Sequence, residues 1–199
     1  MKLNNNYFLL RHGESLKNTK DIASCWPEKK KFPLTKEGRK QIEGLAVKLK
    51  NKKIDLIFTS DLLRAKQTAE IVGKELRLES RFDKRLREVN VGIFNERPLK
   101  EMGEVWNRGE KISSLEHYSR RFKVAPPGGE TYKEIEKRMF SFLKEIDKKY
   151  KDKNILVVSH GRPITLLEKT IYNYTIKKFV EIILKKEEIR TGELRKLSI

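Results

Sequence analysis

Three short apolar runs, YFLL at 7–10, IDLIF at 54–58 and ILVV at 155–158, lack the polar alternation of a half-exposed sheet. They read as strands buried on both faces of a parallel sheet. Between them the apolar positions recur at spacings of three and four. Ile42, Leu45, Ala46 and Leu49 form one such stripe behind Thr35, a side chain able to cap a helix. Leu62, Ala65, Ala69, Val72 and Leu76 form a second behind Ser60. Thr131 and Glu134 have the spacing of a capping box ahead of Ile135, Met139, Phe142, Leu143 and Ile146, and Pro163 suits the first turn of a fourth helix. The closing GELRKLSI alternates like an edge strand. Strands taking turns with helices predict an α/β fold, a three-layer α/β/α sandwich on a mostly parallel sheet.

One stretch breaks this rhythm. From Gly92 to Gly129 the chain carries Pro98, Pro126, Pro127, Trp106, Tyr118 and paired glycines, with helix expected near 97–107 and 114–122. It reads as an irregular lid or substrate wall over about 93–127, set into a single domain of residues 1–199. A length of 199 residues with 37% apolar content suits one such core.

Charge narrows the range of partners without choosing among them. Against 46 Lys and Arg stand 28 Asp and Glu, a net charge of +18 that favours phosphorylated metabolites, nucleic acid or acidic surfaces. Cys25 is the sole cysteine, so no internal disulfide forms. No apolar run approaches the ~20 residues of a membrane span, and the N-terminal apolar patch is too short for a secretory leader. A soluble cytoplasmic protein is expected, with no membrane association.

The chemistry sits where strands end. YFLL runs into Arg11-His12-Gly13 and ILVV into Ser159-His160-Gly161, so two of the three histidines follow a strand and precede a glycine. Ligands of open parallel sheets collect at the carboxyl ends of strands, and a glycine after each histidine is expected to let a ligand approach the backbone. The run after 54–58 places Arg64 in the first turn of the next helix, at the same sheet edge. Arg11, His12, Arg64 and His160 are therefore expected to form one cluster that repels itself unless an anion joins it. A unit charge pair at ~4 Å is worth roughly 4 kcal/mol at an effective dielectric of ~20, and guanidinium forks fit phosphate oxygens bidentately. No Walker loop, HExxH or carboxylate cage is present, so neither metal nor cofactor is expected. Cys25 lacks a phosphate cradle, which leaves His12 as the nucleophile, kept neutral by the arginines beside it and able to become phosphohistidine.

Taken together, LLRHGES with Asn18, FTSDLLRAKQTA, LREVNVG, PPGGET and VVSHG resemble, in order and spacing, the histidine phosphatase (phosphoglycerate mutase-like) superfamily over most of residues 7–165. The resemblance implies a phosphorylated His12, a phosphate pocket completed by Arg11, Arg64 and His160, and Glu88 as proton donor, with Glu96 in reserve. It places Asn18 and Ser24 beside the pocket, with Cys25 where mutase-like members commonly carry glycine. Glu14 and Glu130 read as supporting or capping groups, and His117 as a surface residue.

The short Glu88 to Gly128 separation and Arg162 after the second His-Gly favour the phosphatase branch, so the expected activity is metal-independent hydrolysis of a small phosphorylated metabolite. A cofactor-dependent phosphoglycerate mutase is the alternative, and a basic nucleic-acid-binding module a further one. Arg120 and Arg121, with Arg162, are expected to bind substrate, and Arg97 and Arg108 to offer further charge to a second acidic group, with Trp106 or Tyr118 covering a ring. The expected partners are a small phosphorylated or anionic substrate and inorganic phosphate as product, with nucleic acid disfavoured and a homodimer left open.

Overall fold

The computed structural model describes residues 2–106 and 113–198. Among them are five strands, β1 (Asn6–Arg11), β2 (Leu56–Thr59), β3 (Ser80–Phe82), β4 (Asn154–Ser159) and β5 (Leu194–Lys196), joined in one sheet of order β3-β2-β4-β1-β5. The first four run parallel, while β5 pairs antiparallel to β1 at the edge. Eight α-helices accompany them: α1 (Leu16–Thr19), α2 (Lys36–Leu49), α3 (Leu63–Leu76), α4 (Leu99–Trp106), α5 (Ser114–Arg120), α6 (Tyr132–Lys149), α7 (Gly161–Ile171) and α8 (Ile176–Leu184).

The period of two along each strand divides the core. Phe8 and Leu10 of β1 and Leu156 and Val158 of β4 pack with Ile42, Ala46, Ala69 and Val72 of α2 and α3. Tyr7, Leu9, Ile155 and Val157 face the other way, onto Met139, Phe142, Ile164 and Phe179 of α6, α7 and α8. Two helical layers thus enclose the sheet, as the unbroken apolar runs predict. Burying either face contributes on the order of 25 cal/mol per Å² of apolar surface removed from water.

The capping signals divide. Thr35 accepts from Gly38 N at 2.9 Å, and Thr131 and Glu134 form the reciprocal box at the start of α6. Ser60 does not cap α3, which begins only at Leu63; the Leu63 N–H is taken by the Glu28 carboxylate at 3.0 Å. Strand β3 escapes the hydrophobic reading because its SRF is short, polar and half exposed. The irregular stretch is closed at its base, where Glu130 N donates to Asn90 O at 2.9 Å and Ile93 N to Pro127 O at 3.0 Å. Gly92 is required there: its φ is +56°, and a Cβ would stand 1.9 Å from Pro127 O. Position 107 of the expected helix, Arg108 and the side chain of Trp106 lie outside what is described. No helix among the described residues is long and apolar enough to cross a membrane.

At the amino ends of the strands, buried Asp147 of α6 gathers the N-terminal segment. It accepts from Asn4 N at 3.0 Å, Asn5 Nδ2 at 3.1 Å and the Tyr7 hydroxyl at 3.2 Å. Burial and this carboxylate push the Tyr7 hydroxyl above its ordinary range. Asp147→Ala strands several buried donors at once and is expected to cost about 2–4 kcal/mol. Denaturant unfolding checks this, and a midpoint within error of the parent would contradict it.

Candidate active site

Register brings the two histidines together. Arg11 pairs with Ser159, and His12 N donates to Ser159 O at 3.1 Å, so His12 and His160 leave adjacent strands side by side. Their ring centroids are 5.2 Å apart at 62°. Next door, Ser60 N bonds Val158 O at 3.1 Å, which brings the Ser60 hydroxyl to 2.9 Å from His160 Nε2.

The surroundings of each ring assign its tautomer. His12 Nδ1 lies 2.7 Å from Gly13 O, an acceptor only, so Nδ1 carries the proton and Nε2 keeps its lone pair. Arg64 Nε donates to that lone pair at 3.2 Å. The ionised Glu88 carboxylate 3.9 Å from His160 Nδ1 favours the proton on that nitrogen, so the Ser60 hydroxyl, which also accepts from Leu62 N at 3.3 Å, donates to Nε2. His160 Nδ1–H then points toward Glu88 Oε2, 3.9 Å away, with no hydrogen-bond partner.

Arg64 is fully buried. It donates to Ser24 Oγ at 3.2 Å and Ser24 O at 3.0 Å, and pairs with Glu28 at 3.3 Å. Arg11 donates to Ile189 O at 2.9 Å, leaving its buried Nε unpartnered. The glycines after the histidines serve packing rather than ligand approach. A Cβ on Gly13 would meet Ile42 at 2.7 Å, and one on Gly161 would meet the Arg11 guanidinium at 3.0 Å.

Burial, then Arg64 and Arg11, drives the His12 pKa well below its usual value. Burial, Arg64 and His12 do the same to His160, so both rings are neutral at physiological pH. Burial pushes the Glu88 carboxyl up, but Lys17, Arg64, the Val89 N–H and Arg11 outweigh it and hold Glu88 below the carboxylate range. The Cys25 thiol, pushed up to about 11 chiefly by burial, is unreactive.

A cavity of about 390 Å³ reaches this cluster from outside, walled by Arg11, Lys17, Ser24 and Glu88 at its inner end. His12, Arg64 and His160 do not line it; they lie buried just behind Ser24 and Glu88. Its outer end carries Arg121, stacked 5.1 Å from Tyr132, and Arg162, which pairs with Glu188 at 3.2 Å. The Arg162 guanidinium lies 5.4 Å from the Tyr118 ring and 5.6 Å from that of Tyr132. The remaining wall is apolar, from Val91, Leu99 and Met102.

Not every expected residue arrives. Asn18 Oδ1 is occupied by Ser15 N at 3.1 Å and Ser15 Oγ at 2.8 Å, so it shapes the turn before α1 and does not reach the cavity wall. Arg120 and Arg97 are likewise absent from the wall, and Arg97 is exposed at 4.0 Å from Glu101. Glu96 is also outside it and accepts from Lys30 N. Glu14 accepts from Thr35, and Glu130 from Asn90 N and Arg138. His117, expected at the surface, instead lines the cavity.

Sequence reasoning missed Lys17, Glu28 and Glu188. Lys17 is one lysine among many, but it falls inside the HGESLKN turn, five positions after His12, which was the available signal. Glu28 opens a lysine run that resembles solvated surface, and Glu188 lies in a charged C-terminal stretch without a motif.

A family model described as the histidine phosphatase superfamily (branch 1) matches residues 7–195. A probable phosphoglycerate mutase, GpmB of Yersinia pestis (strain Pestoides F), is 32% identical over 167 residues, covering 82% of this chain and 73% of that protein. Among solved structures, Bacillus stearothermophilus YhfR superposes with a TM-score of 0.83 at 22% identity, covering 98% of this chain and 91% of that one. A mycobacterial glucosyl-3-phosphoglycerate phosphatase in complex with VO3 gives 0.81 at 23%, with 97% and 92% covered. These two likenesses establish a shared fold.

Ser60→Ala removes the proton that holds His160 Nε2 and frees the ring to turn. Turnover of a phosphomonoester is expected to fall about 10- to 100-fold, the loss of one buried hydrogen bond to a site group. Unchanged steady-state kinetics would show that the Ser60 bond does not govern His160.

Proposed function

Because the chain belongs to the histidine phosphatase superfamily, branch 1, we propose that it hydrolyses phosphomonoesters of small metabolites in the cytoplasm, without a metal, through a phosphohistidine on His12. The observation that supports this most is the tautomer of His12: Nδ1–H is committed to Gly13 O, and the only available lone pair, on Nε2, lies beside a guanidinium. A phosphoryl group reaches that nitrogen by taking over the Arg64 Nε–H. Arg11, Arg64 and His160 Nδ1–H then hold its non-bridging oxygens while Nε2 attacks phosphorus in line. The P–O ester bond breaks as the N–P bond forms, and the departing oxygen takes a proton from Glu88. Water then attacks phosphorus, the N–P bond breaks, phosphate leaves and the water's proton returns to Glu88.

Glu88 suits this double role because its protonation follows the charge around it. Lys17, Arg64 and Arg11 hold it ionised; a phosphoryl dianion among the same cations offsets their field and raises the carboxyl's proton affinity. The acid is thereby formed by the arrival of its substrate.

Hydrolysis is favoured over mutase chemistry by the outer end of the cavity. A mutase must hold a bisphosphate at either end in turn. Among the described residues the outer wall offers Arg121 and an Arg162 already neutralised by Glu188, which suits a carboxylate or polar group better than a second dianion. The mutase reading stays in view through the relative named a probable phosphoglycerate mutase.

Brief incubation with a 32P-labelled phosphomonoester and acid-free denaturation is expected to trap label on wild type and not on His12→Ala, with free phosphate as product and no metal requirement. Isomer exchange between phosphoglycerates without phosphate release would instead establish the mutase. Arg121→Ala is expected to raise KM about tenfold for phosphomonoesters with a second acidic group and leave simple aryl phosphates unaffected. Equal effects on both would remove Arg121 from substrate recognition.

A further inference from the structure

Lys17 occupies an unusual place for a lysine. Its side chain is 15% exposed and lines the cavity with Arg11 and Glu88, whereas lysines ordinarily extend the ammonium to water. The turn that carries it is fixed on three sides. Asn18 and Ser15 close the start of α1, Leu16 N bonds Pro33 O at 3.0 Å, and Ile22 N bonds Lys17 O at 3.2 Å. The backbone of Lys17 is therefore held in place, and only its flexible stem can move the ammonium.

Its partners are few. Among the described residues, the one carboxylate within ion-pair range is Glu88 Oε2 at 3.9 Å, too long for a hydrogen bond. Among the described residues no acceptor lies within hydrogen-bond reach of its three N–H donors, at the point where the cavity meets the buried imidazoles. Glu88 stands between this ammonium and His160 Nδ1, each 3.9 Å from the same oxygen.

We propose that Lys17 is a further catalytic residue: its ammonium leaves Glu88 to bind a non-bridging oxygen of the substrate's phosphoryl group, adding a third cationic arm to Arg11 and Arg64. The inference rests on the phosphohydrolase reading and deepens it. The movement has a second effect on the same site. With the ammonium drawn onto phosphate, Glu88 loses its nearest opposing cation and takes up from solvent the proton it passes to the departing ester oxygen. Lysine suits this role because a point charge on a flexible stem can exchange partners.

Protonation then limits the clamp. Facing Lys17 are Glu88 from the 88–91 segment, Arg64 from α3, Arg11 from β1 and Asp21 after α1, with His12 and His160 neutral nearby. Burial, Arg64 and Arg11 bring the ammonium's pKa down to about 8 against Glu88 and Asp21, which oppose the shift. The cationic arm is fully present below that pH and is lost as pH rises through it.

Inorganic phosphate, titrated calorimetrically into wild type, Lys17→Met and Lys17→Arg, tests the proposal without requiring turnover. At pH 7 the Lys17→Met variant is expected to bind phosphate about 10- to 100-fold more weakly than wild type, the loss of one charge-assisted hydrogen bond. Taken as a ratio to wild type, which cancels the titration of phosphate itself, the deficit shrinks toward onefold above about pH 9 as wild type loses its own ammonium. Lys17→Arg is expected to restore binding at pH 7 and to keep it at pH 9. Equal affinity of Lys17→Met and wild type at pH 7, with both folded by circular dichroism, would overturn the role of Lys17 and leave phosphohistidine chemistry standing. A deficit that stays constant with pH would reduce Lys17 to a structural prop and overturn the proposal too. Failure of wild type to bind phosphate at all would overturn both readings.

Discussion

A guanidinium with no exposure to water must be solvated by the protein around it, and the inner end of the cavity is organised by how this is done for Arg64. The unrelieved cost of burying such an ion is several kcal/mol even after relaxation. Ser24 offers both its hydroxyl and its carbonyl, Glu28 supplies the countercharge, and His12 presents the lone pair of a neutral ring. Each of these obligations fixes something else. Ser24 ties the 23–28 loop down against α3, Glu28 also caps the first turn of that helix, and His12 is committed to one tautomer. Burial lowers the Arg64 pKa, but the guanidinium keeps its proton, so the charge cannot be shed to relieve the cost.

The sheet carried the plainest signal in the sequence, because strands buried on both faces must be apolar at every position. Once the apolar runs at 7–10 and 155–158 are taken as parallel neighbours, the histidine that follows each must stand beside the other; pairing of Arg11 with Ser159 makes this a matter of register. Helix positions were legible for the same kind of reason, since the stripes of α2, α3 and α6 are the surfaces that cover the sheet. The start of α3 was misread. A serine just ahead of an apolar stripe satisfies the local rule for a cap, yet Ser60 is needed by His160, and a carboxylate more than thirty positions upstream takes the vacant role. Capping statistics concern neighbours in sequence and cannot register a substitute supplied by the fold.

The charged residues at the site show where sequence alone loses resolution. In a chain with 46 basic side chains, only its place in the turn after His12 separates Lys17, turned inward, from the lysines that extend into water. Arginines at strand ends were easier to place because the strand end is itself a landmark. Of the neighbouring Arg120 and Arg121, only Arg121 reaches the cavity wall, since successive residues on α5 and its end point in different directions. The glycines after each histidine were legible as constrained positions but not in purpose. The contact they permit is with Ile42 and with the Arg11 guanidinium, so they hold the walls of the site and leave its interior to side chains.

On the proposed mechanism, Arg64 also governs selectivity. The lone pair of His12 is covered by the Arg64 Nε–H, and the cavity wall ends at Ser24 and Glu88, short of the ring. A neutral electrophile competes only weakly for a guanidinium and would leave the nucleophile masked. A phosphoryl group offers Arg64 a stronger, charge-assisted partner and uncovers the nitrogen in the act of binding. Once the N–P bond exists, Nδ1–H still donates to Gly13 O, so the ring that must later leave phosphorus is held in the orientation from which it attacked. The same guanidinium that covers the imidazole lone pair therefore becomes a clamp on the group being transferred. Its affinity for oxyanions, more than the shape of the cavity, decides which substrates reach the reactive nitrogen.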